Sequence, residues 1–185
     1  MAIAVRPPHT YTGPLTYDDV QKFPDDGFRY ELVDGELLVS PSPAATHQVV
    51  VTNLVVLFAA AVPPDLQVIV GPVDWYVRPT TYFAPDLVVV RRDGRQDDRK
   101  LLEPPVLVVE VASPATRLRD VGLKRRAYED AGLPWYWVVE PKAPSVNVER
   151  LVDGRFAEAG RVEGDGRLSL AEPFAVEVSP GVLIT

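Results

Sequence analysis

One carboxylate constrains this chain more than any other residue. Residues 106–112 (VLVVEVA) form a near-continuous apolar and largely β-branched run, the pattern of a strand buried on both faces of a sheet. Glu110 sits inside that run. By the two-residue alternation of a strand it points the same way as Val106 and Val108, into the core. A buried carboxylate is costly unless a cation, a metal or hydrogen bonds compensate it, so the fold must set something opposite it. The next segment offers a partner. Ser113-Pro114-Ala115-Thr116 breaks the strand, and residues 117–131 read as one helix closed by Gly132 and Pro134. On a helical wheel Val121, Tyr128 and Ala131 form one stripe, with Lys124 in its middle and Asp120 at its edge. A lysine at the centre of an inward face is as anomalous as a glutamate in a central strand, and one shared site explains both. Residues 135–140 (WYWVVE) read as a second buried strand, which makes the unit β-α-β with a parallel pair and a right-handed crossover.

The remaining segments read as a frame around this unit. Residues 15–23 suggest a short helix with Thr16 as N-cap and Asp18-Asp19 in its first turn. Residues 28–40 form two strands around Asp34-Gly35, the type I′ hairpin dipeptide. That loop pairs Val33 with Glu36 and Glu31 with Leu38. Tyr30, Leu32, Leu37 and Val39 then share an inward face, and Glu31 and Glu36 share the other. Helical spacing runs from 46 to 62, with Thr46 as cap and His47 in the first turn. Strands follow at 66–70 and 73–77, joined near Gly71-Pro72, and at 86–90, opening on Asp86. A charged loop, 91–103, precedes the β-α-β unit. After Pro141 come a hairpin around Asp153-Gly154 and short edge strands. The sum is a mixed α/β sheet flanked on two sides. Residues 1–14, with three prolines and no periodicity, read as a flexible arm, and 15–185 as a single domain.

The chain has no cysteine, which excludes thiol nucleophiles, disulfide frameworks and cysteine metal sites. Its formal net charge of −7 argues against a passive nucleic-acid coat, though not against a nuclease. No signal peptide or bilayer-spanning stretch is evident, so the expectation is a cytoplasmic protein without a membrane partner. Walker-type glycine loops, HExxH and GxSxG are absent. What remains is Asp86 at the head of one apolar strand, Glu110 within the next, and Lys124 on the helix packed over them. Two carboxylates of this kind make a hard oxygen site suited to Mg²⁺, with Mn²⁺ as a substitute. Such a metal activates a bound water and polarises a phosphoryl oxygen, while a nearby lysine orients that water or offsets charge on the phosphate.

Pro85-Asp86, Glu110-Val111-Ala112-Ser113-Pro114, Asp120, Lys124, Tyr128, Gly132 and WYWVVEP, together with YELVDGELLVSPSP and His47, resemble the Uma-type family of restriction-endonuclease-like proteins, within the PD-(D/E)XK nuclease superfamily. The resemblance spans roughly residues 15–142 and more loosely the C-terminal hairpins. It implies a restriction-endonuclease-like α/β/α sandwich, a Mg²⁺-dependent site acting on DNA, and a homodimer. By family position Glu31 approaches the metal site from the hairpin, alongside Asp86 and Glu110 as ligands, and His47 is a secondary catalytic candidate. One departure stands out. The superfamily places its lysine two residues after the second acid, where this chain has Ala112, so Lys124 must reach back from the helix. Read for function, the chain is a metal-dependent endonuclease hydrolysing DNA phosphodiester bonds. The rival reading is a nuclease-fold dimer that binds without cutting, and a third is hydrolysis of a small phosphoester. Tyr128 reads as core packing, and Trp135 and Trp137 as core or dimer interface.

Overall fold

The computed structural model describes residues 13–112 and 119–185, with side chains from 122 onward in the second span. In chain order the elements are α1 (Tyr17–Val20), β1 (Arg29–Val33), β2 (Glu36–Ser40), α2 (Ala45–Ala59), β3 (Leu66–Val70), β4 (Asp74–Arg78), β5 (Thr81–Phe83), β6 (Leu87–Arg91), β7 (Lys100–Leu101) and β8 (Leu107–Val111). A π-helical segment (Arg119–Lys124) then runs into α3 (Arg125–Asp130), followed by β9 (Trp135–Glu140), β10 (Ser145–Val152), β11 (Arg155–Glu163), β12 (Leu168–Leu170), β13 (Val176–Val178) and α4 (Pro180–Leu183). The expected arm, the strand break at 113–116 and the side chains of Asp120 and Val121 lie outside the described residues.

A six-stranded sheet in the order β11-β10-β9-β8-β6-β3 carries the centre of the fold. Its β8–β9 pair is parallel, with Glu110 level with Val138, and the crossover between them contains α3. The other pairs in this sheet are antiparallel. Helix α2 covers one face, setting Leu54 and Phe58 against Leu107, Val109 and Trp137. On the opposite face α3 buries Tyr128 among Trp75, Phe83 and Tyr136. Helices therefore flank the sheet on both sides, as the sequence pattern predicts. The second side holds more than a helix. At six residues α3 is about 9 Å long, whereas six strands extend roughly 25 Å across the sheet. A second sheet, β2-β1-β5-β4-β7, fills the rest of that face.

The first hairpin has the register that its Asp-Gly loop dictates, Val33 opposite Glu36 and Glu31 opposite Leu38. Asp34 and Gly35 both take positive φ, 52° and 82°, as a type I′ turn requires. Its facing differs from the alternation-based expectation, because both faces are covered. Leu32 and Tyr30 pack on α1 and Tyr82, while Val33 and Leu38 turn toward the six-stranded sheet and bring Glu31 with them. Only Glu36 stays exposed. Thr46 does not cap α2. The helix starts one residue earlier, from an extended Ala44 that supplies no side-chain acceptor, since Ala45 enters a helix more readily than threonine. The single helix expected over 117–131 is split, its first part wound as a π-helix around Gly122, a residue with little preference for the α form. The strands β5 and β7, three and two residues long, are too short to show alternation in the sequence.

One glycine allows the ends of β3 and β6 to approach closely. The N–H of Gly71 donates to the carbonyl of Asp86 at 2.8 Å, and a Cβ built at Gly71 would lie 2.1 Å from the carbonyl oxygen of Pro85. Gly71→Ala therefore forces the segment before β6 away from β3. The expected result is a loss of about 1–3 kcal/mol in unfolding free energy, read from urea denaturation. An unchanged midpoint would refute this account of the contact.

Candidate active site

Lys124 lies where three elements meet. As the last residue of the π-helical segment it precedes Tyr128 by four positions, so both side chains project from one side of the helix. Both reach Glu110 on β8. Lys124 Nζ donates to Glu110 Oε1 at 2.9 Å, and the Tyr128 hydroxyl donates to the same oxygen at 2.6 Å. Lys124 Nζ also stands 2.9 Å from Glu31 Oε2 on β1, and Glu31 Oε1 accepts the backbone N–H of Ala84 at 2.9 Å. Glu31 and Glu110 are each 1% exposed and Lys124 3%. Charges that deep are tolerable only as a hydrogen-bonded set. Burial pushes the Tyr128 hydroxyl well above the usual phenol range, and the Glu110 carboxylate pushes it further, so Tyr128 serves as a donor. Tyr128 is thus core and site at once.

Asp86 forms the second half. It sits one residue before β6, and continuing the β6–β8 register, Leu87 opposite Val109, sets it level with Glu110. Asp86 Oδ2 accepts the N–H of Val111 at 2.9 Å and lies 3.0 Å from His47 Nε2. Asp86 Oδ1 accepts from Arg29 Nη1 at 2.6 Å. Burial alone would raise the Asp86 carboxyl, but the His47 hydrogen bond and the Arg29 charge outweigh it and hold the group well below the usual carboxylate range. His47 Nδ1 is buried and has no hydrogen-bond partner among the described residues.

All five residues singled out in the sequence therefore converge. Glu31, Glu110 and Lys124 form one buried cluster; Asp86 and His47 form a neighbour to it, joined through Val111. Arg29 was not anticipated. The signal was present, since Arg29 and Glu31 are two apart on one strand and share a face, but an arginine at a strand start is ordinarily read as solvated. Arg125 was also missed. It fixes the start of α3 by donating to Glu149 and to Glu129, and to the carbonyl of Phe156, and so steadies the residue next to Lys124. Asp86 and His47, unlike the lysine cluster, line a cleft of about 460 Å³ that opens to solvent.

The donor chemistry is that of hard oxygens. Three carboxylates face two permanent cations, Arg29 and Lys124, leaving a formal excess of one negative charge. Among the described residues no three acidic or histidine side chains are spaced to enclose a metal. That does not suit an all-protein cage. A divalent cation held here would take one or two carboxylates and complete its shell with other oxygens.

Residues 17–183 match the sequence profile of Uma2, described as "Putative restriction endonuclease". The chain belongs to the Uma2 family. The crystal structure of a putative nuclease of DUF820 from Anabaena variabilis superposes with a TM-score of 0.74 at 19% identity, covering 92% of this chain and 98% of that one. Among curated proteins none matches the chain. The structural likeness establishes the fold, and it is restriction-endonuclease-like, with helices on both faces of the central sheet. Among the described residues no helix of this Uma2 member is long and apolar enough to cross a membrane.

The depressed Asp86 carboxyl makes stability depend on acid. Its contribution is complete above the unfolded carboxylate value of about 3.9 and is lost as pH falls through the lower folded value. Asp86→Asn removes that dependence, so the acid limb of stability against pH becomes shallower than in the wild type. Urea midpoints taken at successive pH values below about 5 check this, and parallel limbs would contradict it.

Proposed function

We propose that this Uma2 protein is a divalent-metal-dependent nuclease that hydrolyses DNA phosphodiester bonds. The observation that carries the reading is the lysine: Lys124 Nζ stands 2.9 Å from both Glu110 and Glu31, far from the sequence position where the superfamily keeps its lysine. Ala112 leaves that position without a charge. Lys124 restores an ammonium beside the second acid, from a helix instead of the strand.

Asp86 and Glu110 would hold the cation, Mg²⁺ by donor type with Mn²⁺ able to substitute, and Glu31 would support them from the hairpin. Bound there, the metal would supply an activated water and polarise the phosphoryl oxygen. The chain's own residues have separable tasks. Glu31 and Glu110 hold Lys124 in place by ion pairs, and Lys124 offsets negative charge as it builds on the phosphate or orients the attacking water. Tyr128 holds Glu110 in one rotamer by its hydrogen bond. Arg29 and His47, on the floor of the open cleft, are placed to receive the phosphate and to shuttle a proton at Nε2. The aligned arrangement of these groups before substrate arrives is what accelerates a reaction of this class.

A second reading has one observation in its favour. Both Asp86 oxygens already accept protein donors, Arg29 on one and His47 with Val111 on the other, as they would in a nuclease fold kept only as a dimeric binding module. Nicking of supercoiled plasmid separates the two. In the nuclease reading Mg²⁺ or Mn²⁺ supports cleavage, EDTA abolishes it, and Glu110→Ala and Lys124→Ala each lower the rate by at least about 100-fold. Cleavage that survives Glu110→Ala would sink the assigned site, and a folded wild type that cuts nothing in any metal would leave the binding module.

A further inference from the structure

We infer that the cleft at the Asp86 end of the site is a pocket for one unpaired nucleotide, with its base against Phe28 and its phosphate at Arg29 and His47. The inference rests on the nuclease reading for the class of ligand, and on the cleft's own construction for the rest.

At about 460 Å³ the cleft falls in the size range of small-molecule sites. That is room for a single nucleotide. A base reaches such a pocket only from a single strand or after leaving the duplex stack. Phe28 supplies the surface it would meet. The ring is partly buried and lines the cleft, yet among the described residues it joins none of the three apolar cores. Its neighbour Phe23 is different: that ring packs edge-to-face on Tyr30 at 5.2 Å and belongs to the third core. A phenylalanine on the wall of a cleft, outside the described apolar cores, offers a ring face on which a base can stack.

The segment that presents Phe28 is held in place before any ligand arrives. The Phe28 N–H donates to Asp26 Oδ1 at 3.1 Å, and the other oxygen of Asp26 accepts the Tyr30 hydroxyl at 2.6 Å. The Ser42 hydroxyl donates to the carbonyl of Gly27 at 2.8 Å, tying the loop to the Pro41–Pro43 wall opposite. Such preorganisation spares the ordering cost that binding otherwise incurs. The polar end is next along the chain. Arg29 follows Phe28 directly and directs its guanidinium to the cleft floor beside His47. Asp74, another acid on the wall, is engaged by the Tyr17 hydroxyl at 2.9 Å.

The test is calorimetric titration in EDTA, without divalent metal, using 2′-deoxyadenosine 5′-monophosphate and inorganic phosphate as probes. The wild type should bind the nucleotide at least about 10-fold more tightly than phosphate, because base stacking adds to the phosphate contact. Phe28→Ala should weaken nucleotide binding by about 10- to 100-fold and leave phosphate binding unchanged, while Phe28→Trp retains the nucleotide. Phe28→Leu, which keeps apolar bulk without a π face, carries the comparison if Phe28→Ala melts early. Equal affinity for the two probes, or nucleotide binding indifferent to Phe28, overturns the pocket. Because binding is read without turnover, a protein that binds the nucleotide this way but cuts no DNA refutes the nuclease reading and supports the pocket. One that cuts plasmid while its Phe28 variants bind and cut like wild type refutes the pocket alone.

Discussion

A single buried ammonium ties this fold together. Lys124 comes from the crossover helix, Glu110 from the six-stranded sheet and Glu31 from the five-stranded sheet, and the lysine nitrogen is 2.9 Å from each carboxylate. None of the three could remain charged at that depth without the others, because an unpaired charge in an apolar interior costs several kcal/mol. The cluster therefore fixes the relative placement of two sheets and a helix. The contacts around it serve the same seam: Ala84 from the five-stranded sheet's side donates to Glu31, and Arg29 from the hairpin reaches across to Asp86. The seam between the sheets is also the site.

That economy explains the graded burial of the polar residues. Glu31, Glu110 and Lys124 are sealed, while Asp86 and His47 border the open cleft. Chemistry at a phosphate needs charge held in a medium of low dielectric, where it acts strongly, and also a way in for the substrate. In the proposed nuclease the two needs would be met by neighbouring groups, Glu110 on β8 and Asp86 beside it before β6. Val111 joins them, since its N–H binds Asp86 while the preceding residue is Glu110. The π-helical segment belongs to the same arrangement. It ends on Lys124, and α3 then sets Tyr128 one turn further along, so that two donors close on one Glu110 oxygen. Arg125, gripped by Glu129, Glu149 and Phe156, prevents that junction from rotating.

The sequence was most legible where local rules are strict. An Asp-Gly dipeptide between alternating strands specifies a turn whose twist matches the hairpin, and the pairing of Val33 with Glu36 follows from it. A glutamate inside a β-branched run and a lysine on an apolar helix stripe are each improbable alone, and their juxtaposition follows from the β-α-β unit that joins them. Legibility failed where a residue's partner is distant. Arg29 shares a strand face with Glu31, but nothing local names its partner Asp86, 57 positions away. The face of Tyr30, Leu32 and Leu37 packs inward as expected, but the burial of the other face was missed because alternation reports two faces without saying what covers either one. Both are covered, and the face bearing Glu31 meets the main sheet.

By itself, then, the sequence determined the order of the longer elements, the hairpin register and the residues that needed partners, since turn geometry, side-chain period and the cost of burying charge all act within a few residues. Only the tertiary structure decided which carboxylates share Lys124, that Arg29 and His47 sit on Asp86, and that a cleft opens beside them. Those outcomes depend on how two sheets pack, which long-range contacts set and no local pattern records.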